Sequence, residues 1–337
     1  MKIGAGNFRL FWILLTIGLI QTRIVIYAQA QQLEYKVCAT NKISTFESEL
    51  NTFGLKGFRV DPNTKLSTTT AILSKVKSDI GKKYEYKLID SSGIKNQKSE
   101  LISQGYKCIA TLFDTSGSPF SMLKFYILFE KEDGSLNSVQ DYDVCELRQK
   151  CLAEAAKRWY VPFALAPYLL FTSLTKEAAG SNREPKFYRS LSTMKASTLE
   201  KELNDSAQQG FRFFINSNLS EVLMVKEGND PISSKYEYIL KAANKEKDVA
   251  QLNELSKQGY RPVGNQIVSG YLIFERSAQS ASQDSYTEFK ILDTRDEKKL
   301  ETDVQEAASQ NWHPVFVGGT SAVYRVVLTR TVSTKSK

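Results

Sequence analysis

The stretch KKYEYKLID at residues 82–90 returns as SKYEYILKA at residues 234–242, 152 positions further along the chain. Both are short alternating runs centred on a tyrosine, the pattern of a β-strand with one apolar and one polar face. They belong to a series. LEYKVC at Tyr35, YEYKLI at Tyr86, DYDVCE at Tyr142, FYRSLS at Tyr188, YEYILK at Tyr238 and TEFKIL at Phe289 follow at spacings of 51, 56, 46, 50 and 51 residues. A fixed period of this size signals tandem structural units.

A second landmark keeps the same register. About twenty residues after each strand, an amphipathic segment ends in glycine plus an aromatic residue, or in a substitute for that pair. The series is Gly57-Phe58, Gly105-Tyr106, Trp159-Tyr160, Gly210-Phe211, Gly259-Tyr260 and Asn311-Trp312. Upstream, DVAQLNELSKQ (248–258) and KLETDVQEAASQ (299–310) place apolar residues at helical spacing. Glycine closes a helix in the left-handed conformation without a Cβ clash, and asparagine is the next-best residue there. Trp159 breaks the rule, at a cost of about 1–2 kcal/mol if forced left-handed.

The third landmark is an apolar strand with charges at its end. It is read at TTAILSKVK (69–77), KFYILFEK (124–131), PYLLFTSL (167–174), EVLMVKE (221–227), GYLIFER (270–276) and VYRVVLTR (323–330). Turn residues such as DTSGSP (114–119) and VGGT (317–320) separate it from the second landmark. The predicted fold class is therefore α+β: six tandem βαββ repeats forming mixed sheets with helices packed on one face, repeats associating in pairs being left open. In each unit a right-handed crossover places strands one and two parallel, with strand three antiparallel between them. Tyr84, Tyr86 and Leu88 are expected to face the unit's own helix, with Glu85 and Lys87 on the other side. The expected boundaries are a signal peptide at 1–30, repeats at 31–78, 79–134, 135–178, 179–230, 231–280 and 281–331, and a tail at 332–337. One such unit buries too little apolar surface to stand alone, and company also removes open sheet edges.

These landmarks resemble a small bacterial domain of unknown function. Its pattern is like W-E-Y-K-V, then L-N-E-L-G-x-x-G-W-E-L-V, then an apolar strand ending in Lys or Arg. The matching residues are Tyr84–Leu88, then Leu252–Leu255 with Gly259 and Tyr260, then Leu272–Arg276. The resemblance covers each copy loosely and the fifth best. It implies a fold and carries no catalytic set.

The N-terminus reads as an export signal. Lys2 and Arg9 precede the apolar run LFWILLTIGLI (10–20), too short to span a bilayer comfortably, and Ala28 and Ala30 offer a small-residue cleavage pattern. The expected location is the periplasm or the extracellular space, with no transmembrane span after cleavage; an uncleaved N-terminal anchor is the alternative. The formal charge is +8, and without Lys2, Arg9 and Arg23 the excess is five. No cluster of cations interleaved with aromatics suggests a nucleic-acid partner. An unknown protein or an anionic surface ligand fits better.

Little chemistry is marked. His313 is the sole histidine, which excludes His-clustered metal sites and disfavours a Ser-His-Asp arrangement. It fills the slot held by Arg59, Lys107, Arg212 and Arg261 in sister copies. With Glu34, Glu85, Glu237 and Glu288 on strand one, these five form either a row of pockets for an acidic ligand or ordinary ion pairs along the sheet. Such pairs contribute roughly 0–1 kcal/mol each. In the third copy, YVPFALAPYLLF (160–171) is almost continuously apolar. It fits a central buried position, or a partner patch at Tyr168, Leu169, Leu170 and Phe171. Asn204-Asp-Ser and Asn218-Leu-Ser fit the glycosylation pattern. The four cysteines are read either as buried free thiols acting as small apolar side chains or, in an exported chain, as bridges Cys38–Cys108 and Cys145–Cys151. No cofactor is implied. The expectation is a non-enzymatic binding or scaffolding protein, the alternative a carboxylate-based secreted hydrolase.

Overall fold

The computed structural model describes residues 33–40, 42–62, 64, 66, 70–90, 92–114, 124–134, 139–146, 161–166, 169–175, 186–193, 195–216, 221–227, 236–243, 246–267, 271–277, 285–320 and 323–333. The expected signal peptide lies outside them.

The described strands form six three-stranded sheets. The first contains β1 (Leu33–Ala39), β2 (Arg59–Val60) and β3 (Thr70–Val76); the second contains β4 (Tyr84–Asp90), β5 (Lys107–Asp114) and β6 (Lys124–Glu132). The third contains β7 (Val139–Glu146), β8 (Val161–Ala166) and β9 (Leu169–Thr175), and the fourth β10 (Lys186–Ser192), β11 (Arg212–Asn216) and β12 (Glu221–Glu227). The fifth contains β13 (Tyr236–Ala242), β14 (Arg261–Ile267) and β15 (Tyr271–Ser277), and the sixth β16 (Ser285–Thr294), β17 (His313–Thr320) and β18 (Val323–Ser333). In every sheet the order is first–third–second. The third strand pairs antiparallel with both neighbours. The first and second strands thus run parallel without touching, as expected, but every ladder is antiparallel and the sheets are not mixed.

Five helices are described: α1 (Ile43–Gly54), α2 (Ile94–Ser103), α3 (Ala196–Gln208), α4 (Val249–Lys257) and α5 (Glu297–Ser309). Each connects the first and second strands of its sheet. In the third sheet the corresponding residues, 147–160, which include Trp159, lie outside the described set.

The helix ends follow one local rule. Gly57, Gly105, Gly210 and Gly259 have φ between 85° and 90°, and Asn311 has φ 62°. The aromatic N–H that follows donates back five residues, as in Phe58 N to Phe53 O (3.2 Å) and Trp312 N to Ala307 O (3.1 Å). This is the Schellman closure, and it explains why the aromatic always comes next in sequence: its own amide completes the cap.

The packing between sheets departs from expectation. Tyr86 and Leu88 do not face α2, the helix of their own unit. They pack with α1, in a core containing Phe46, Leu50, Phe58, Leu73 and Leu128. Tyr238 and Leu240 likewise join α3 residues Leu199 and Leu203, and Phe289 and Ile291 join Leu252 and Leu255 of α4. Each of these helices lies between its own sheet and the first strand of the next, so helices cover both faces rather than one. The cause is economy of surface: a 12-residue helix such as α1 has apolar residues enough for two neighbours, and a three-stranded sheet has two faces to cover.

The same helices cap sheet edges. A first strand lies at the rim of its sheet, so alternate backbone N–H groups point outward without a ladder partner. Tyr86 N–H donates to Asn51 Oδ1 (2.7 Å) and Leu88 N–H to Glu47 Oε2 (2.6 Å), while Asn51 Nδ2 returns a bond to Tyr86 O (3.0 Å). Asn204 and Glu200 treat Tyr238 and Leu240 the same way, at 2.9 and 2.7 Å. Phe289 N–H donates to Asn253 Oδ1 and Thr287 N–H to Ser256 Oγ, both at 2.7 Å.

The last helix does this for the first strand. On α5, Gln305, Glu301 and Glu297 accept from Tyr35, Val37 and Ala39 N–H at 2.8, 3.3 and 3.3 Å. Leu300, Val304, Ala307 and Trp312 share one core with Tyr35, Val37 and Ile72. Second strands adjoin as well, β5 beside β8, β8 beside β11 and β11 beside β14. The array closes on itself. A closed ring has no terminal unit with an open edge, the solution that radial repeat folds share.

Candidate functional site

Four of the five cations in the shared slot converge on two buried carboxylates. Each sits on a third strand at a junction between units. Glu130 of β6 is fully buried. Arg59 Nε, from the preceding unit, lies 2.9 and 3.1 Å from its two oxygens, and Lys107 Nζ 3.5 Å from Oε1. Tyr86 OH donates to Oε2 (3.3 Å) and accepts from Val60 N–H (2.9 Å). Glu275 of β15, 1% exposed, repeats the arrangement. Arg212 of the preceding unit reaches it with Nε and Nη2 (3.3 and 3.1 Å), and Arg261 with Nη2 (3.1 Å). Tyr238 OH donates to Oε2 (3.0 Å) and accepts from Phe213 N–H (2.7 Å). Burial first, and then the neighbouring carboxylate, push both phenols well above the usual tyrosine range. The two sites draw on the same positions, with Lys107 standing where the other has Arg261 and Arg59 binding through Nε alone. They fall in the units whose sequences echo each other.

The expected pairing within one unit, strand-one glutamate to strand-two cation, does not form. Strand-one glutamates bind third-strand cations: Glu237 to Arg276, and Glu288 to Arg330 at 2.7 Å. Glu237 also accepts from Tyr260 OH at 2.9 Å. Arg276 chiefly, with that phenol, holds the Glu237 carboxyl below its ordinary value, while burial and Glu237 push Tyr260 up to about 12. The reason for the different pairing is the ladder. Glu237 is directly opposite Arg276, and the third strand separates strands one and two.

Those third-strand cations have a second job. Lys75 Nζ, Lys226 Nζ and Arg276 Nη1 donate to Lys56 O, Gln209 O and Gln258 O, carbonyls at the ends of their own units' helices. Lys75, Lys131, Arg276 and Arg330 lie over the rings of Phe58, Tyr106, Tyr260 and Trp312 at 4.5–5.7 Å. A cation is favoured at a helix C-terminus and over a ring face. The charged strand ends thus seal the helix caps.

His313 is exposed at the start of β17, opposite Thr329. Among the described residues it forms no ion pair, so it does not share the function of its four sister cations. Cys38 and Cys108 do not bridge: Cys38 Sγ, buried, donates to Glu49 Oε2 (3.5 Å), and Cys108 Sγ approaches Ala110 O (3.9 Å). Burial raises the Cys38 thiol far above its ordinary range, which makes it unreactive. Cys145 lies on β7, but Cys151, the other half of the second expected bridge, falls outside the described residues, as do Tyr168 and Asn218. Leu169, Leu170 and Phe171 lie on β9, the middle strand of its sheet, hydrogen-bonded on both sides. Asn204 is committed to the Tyr238 backbone, so a glycan there is incompatible with the folded junction.

The chain matches no protein-family model, no curated protein and no solved structure. Among the described residues, no helix is long and apolar enough to cross a membrane.

Proposed function

We propose that this chain is an exported, non-enzymatic binding or scaffolding protein, built from six copies of one βαββ module closed into a ring. The observation that supports this reading is the destination of the recurrent polar groups. Arg59, Lys107, Arg212 and Arg261 hold Glu130 and Glu275, and the helix carboxylates and amides hold strand edges. A hydrolase of the carboxylate type needs a pair of acids offered to a substrate. Here Glu130 and Glu275 are each engaged by two cations and a phenol, on different junctions of the ring.

The resemblance to the small bacterial domain extends to the module's fold alone. Export is supported by the positive lead, the short apolar run and the Ala28/Ala30 pattern. A partner would meet the outer surface, as an unknown protein or an anionic surface ligand, and neither a cofactor nor nucleic acid is implied. Recovering the protein from outside the cytosol and sequencing its N-terminus tests the reading. A mature chain beginning at Gln31 is expected; an intact chain confined to the cytosol would overturn it.

A further inference from the structure

The junction between the first two units contains a cavity of about 400 Å³ beside the ring-building Asn51. Its walls include Leu55, Lys83, Tyr84, Glu85, Lys131 and Asp133. The volume is within the range of small-ligand pockets.

Its charges are not locked in ion pairs. Among the described residues, Lys83, Lys131 and Asp133 make no ion pair; Lys131 Nζ rests over the Tyr106 ring at 5.5 Å. Asp133 N–H bonds Lys83 O at 3.0 Å, which places this cation and this acid at one mouth. Glu85 accepts the Tyr106 phenol. Leu55 leaves 67% of its surface exposed at the end of α1, a high value for a leucine beside a ready-made cavity.

A backbone donor points into the same space. The Asp133–Lys83 bond fixes the ladder parity, so the N–H groups of residues 84, 86 and 88 all face the sheet's rim. Asn51 and Glu47 take the second and third. One helical turn beyond Asn51 stands Leu55, which has no acceptor to offer. Where the last two units meet, the donor equivalent to Tyr84 N–H, Thr287 N–H, is taken by Ser256 Oγ. Here one donor remains, between two lysines.

We infer that this cavity is a receptor site for a small zwitterion with an apolar body: an amino acid or short peptide carrying an apolar side chain. Its carboxylate meets Lys83, Lys131 and the Tyr84 N–H, its ammonium meets Asp133 and Glu85, and its side chain covers Leu55. The inference is independent of the ring's scaffolding role.

Calorimetric titration of the exported chain with leucine, with leucyl-leucine and with N-acetyl-leucine amide tests it. Saturable binding of at least one zwitterion is expected, with none by the uncharged amide; whichever zwitterion binds more tightly identifies the source. Replacing the lysine without a structural contact (Lys83→Ala) should weaken binding at least tenfold at unchanged melting temperature. Lys83→Arg should retain it. The site is refuted by failure of both zwitterions to bind, by equal binding of the neutral amide, or by undiminished affinity in the alanine variant.

Discussion

Glu275 is a carboxylate removed from water and surrounded by two guanidinium groups and a phenol. Removing the acid leaves Arg212 and Arg261 crowded together and the Tyr238 hydroxyl without its acceptor. Because both arginines remain 45–60% exposed, water relieves part of that loss. Glu275→Ala should therefore cost about 1–3 kcal/mol, less than the value for a fully buried broken pair. Arg261→Ala should cost only about 0–1 kcal/mol, since Arg212 keeps two bonds to the acid. Urea unfolding of both variants checks the ordering, and a larger loss in the arginine variant would contradict it. The acid was readable in hindsight. Only the second and fifth copies place a glutamate directly after the apolar run, in YILFEK (126–131) and YLIFER (271–276), where the others have Ser74, Ser173, Val225 and Thr329. What the one-dimensional pattern hid was the origin of the second cation, which comes from the neighbouring unit.

At the scale of elements, the strands, the helices and their ends were legible because each is decided locally. A tyrosine-centred alternation makes a strand, and glycine or asparagine before an aromatic makes a cap, whatever surrounds them. Which sheet a helix face serves is decided by residues about fifty positions away, and the expectation failed there. One small residue records the true arrangement. Gly54 lies three positions before the capping glycine, where α3 has Ala207 and α4 has Ser256. A Cβ on Gly54 would stand 2.2 Å from Tyr84 O. Gly54→Ala gains about 1 kcal/mol of helix propensity, but the contact is with backbone and cannot be relieved by a rotamer. The clash should win, leaving the variant about 1–3 kcal/mol less stable by urea unfolding. A more stable variant would mean that α1 does not press on β4.

For the whole molecule, the period predicted company among the units but not its geometry. A period of this kind suits a row or a ring equally well by spacing alone. The distinction lies in Gln305, Glu301 and Glu297, three side chains one helical turn apart whose partners are more than 250 positions away. Burial raises the Glu297 carboxyl above its ordinary value, against the opposing effect of the hydrogen bond it accepts from Ala39 N–H.

Exchange of the Tyr35 backbone amide for deuterium, compared between the native chain and Gln305→Ala, interrogates the seam directly. If α5 seals the sheet that opens the chain, this N–H exchanges slowly although it lies on a rim, and the substitution 270 residues away accelerates it while leaving Tyr238 N–H protected. An amide that exchanges as quickly as unfolded chain in the native protein, or one indifferent to residue 305, would show that the two ends never meet.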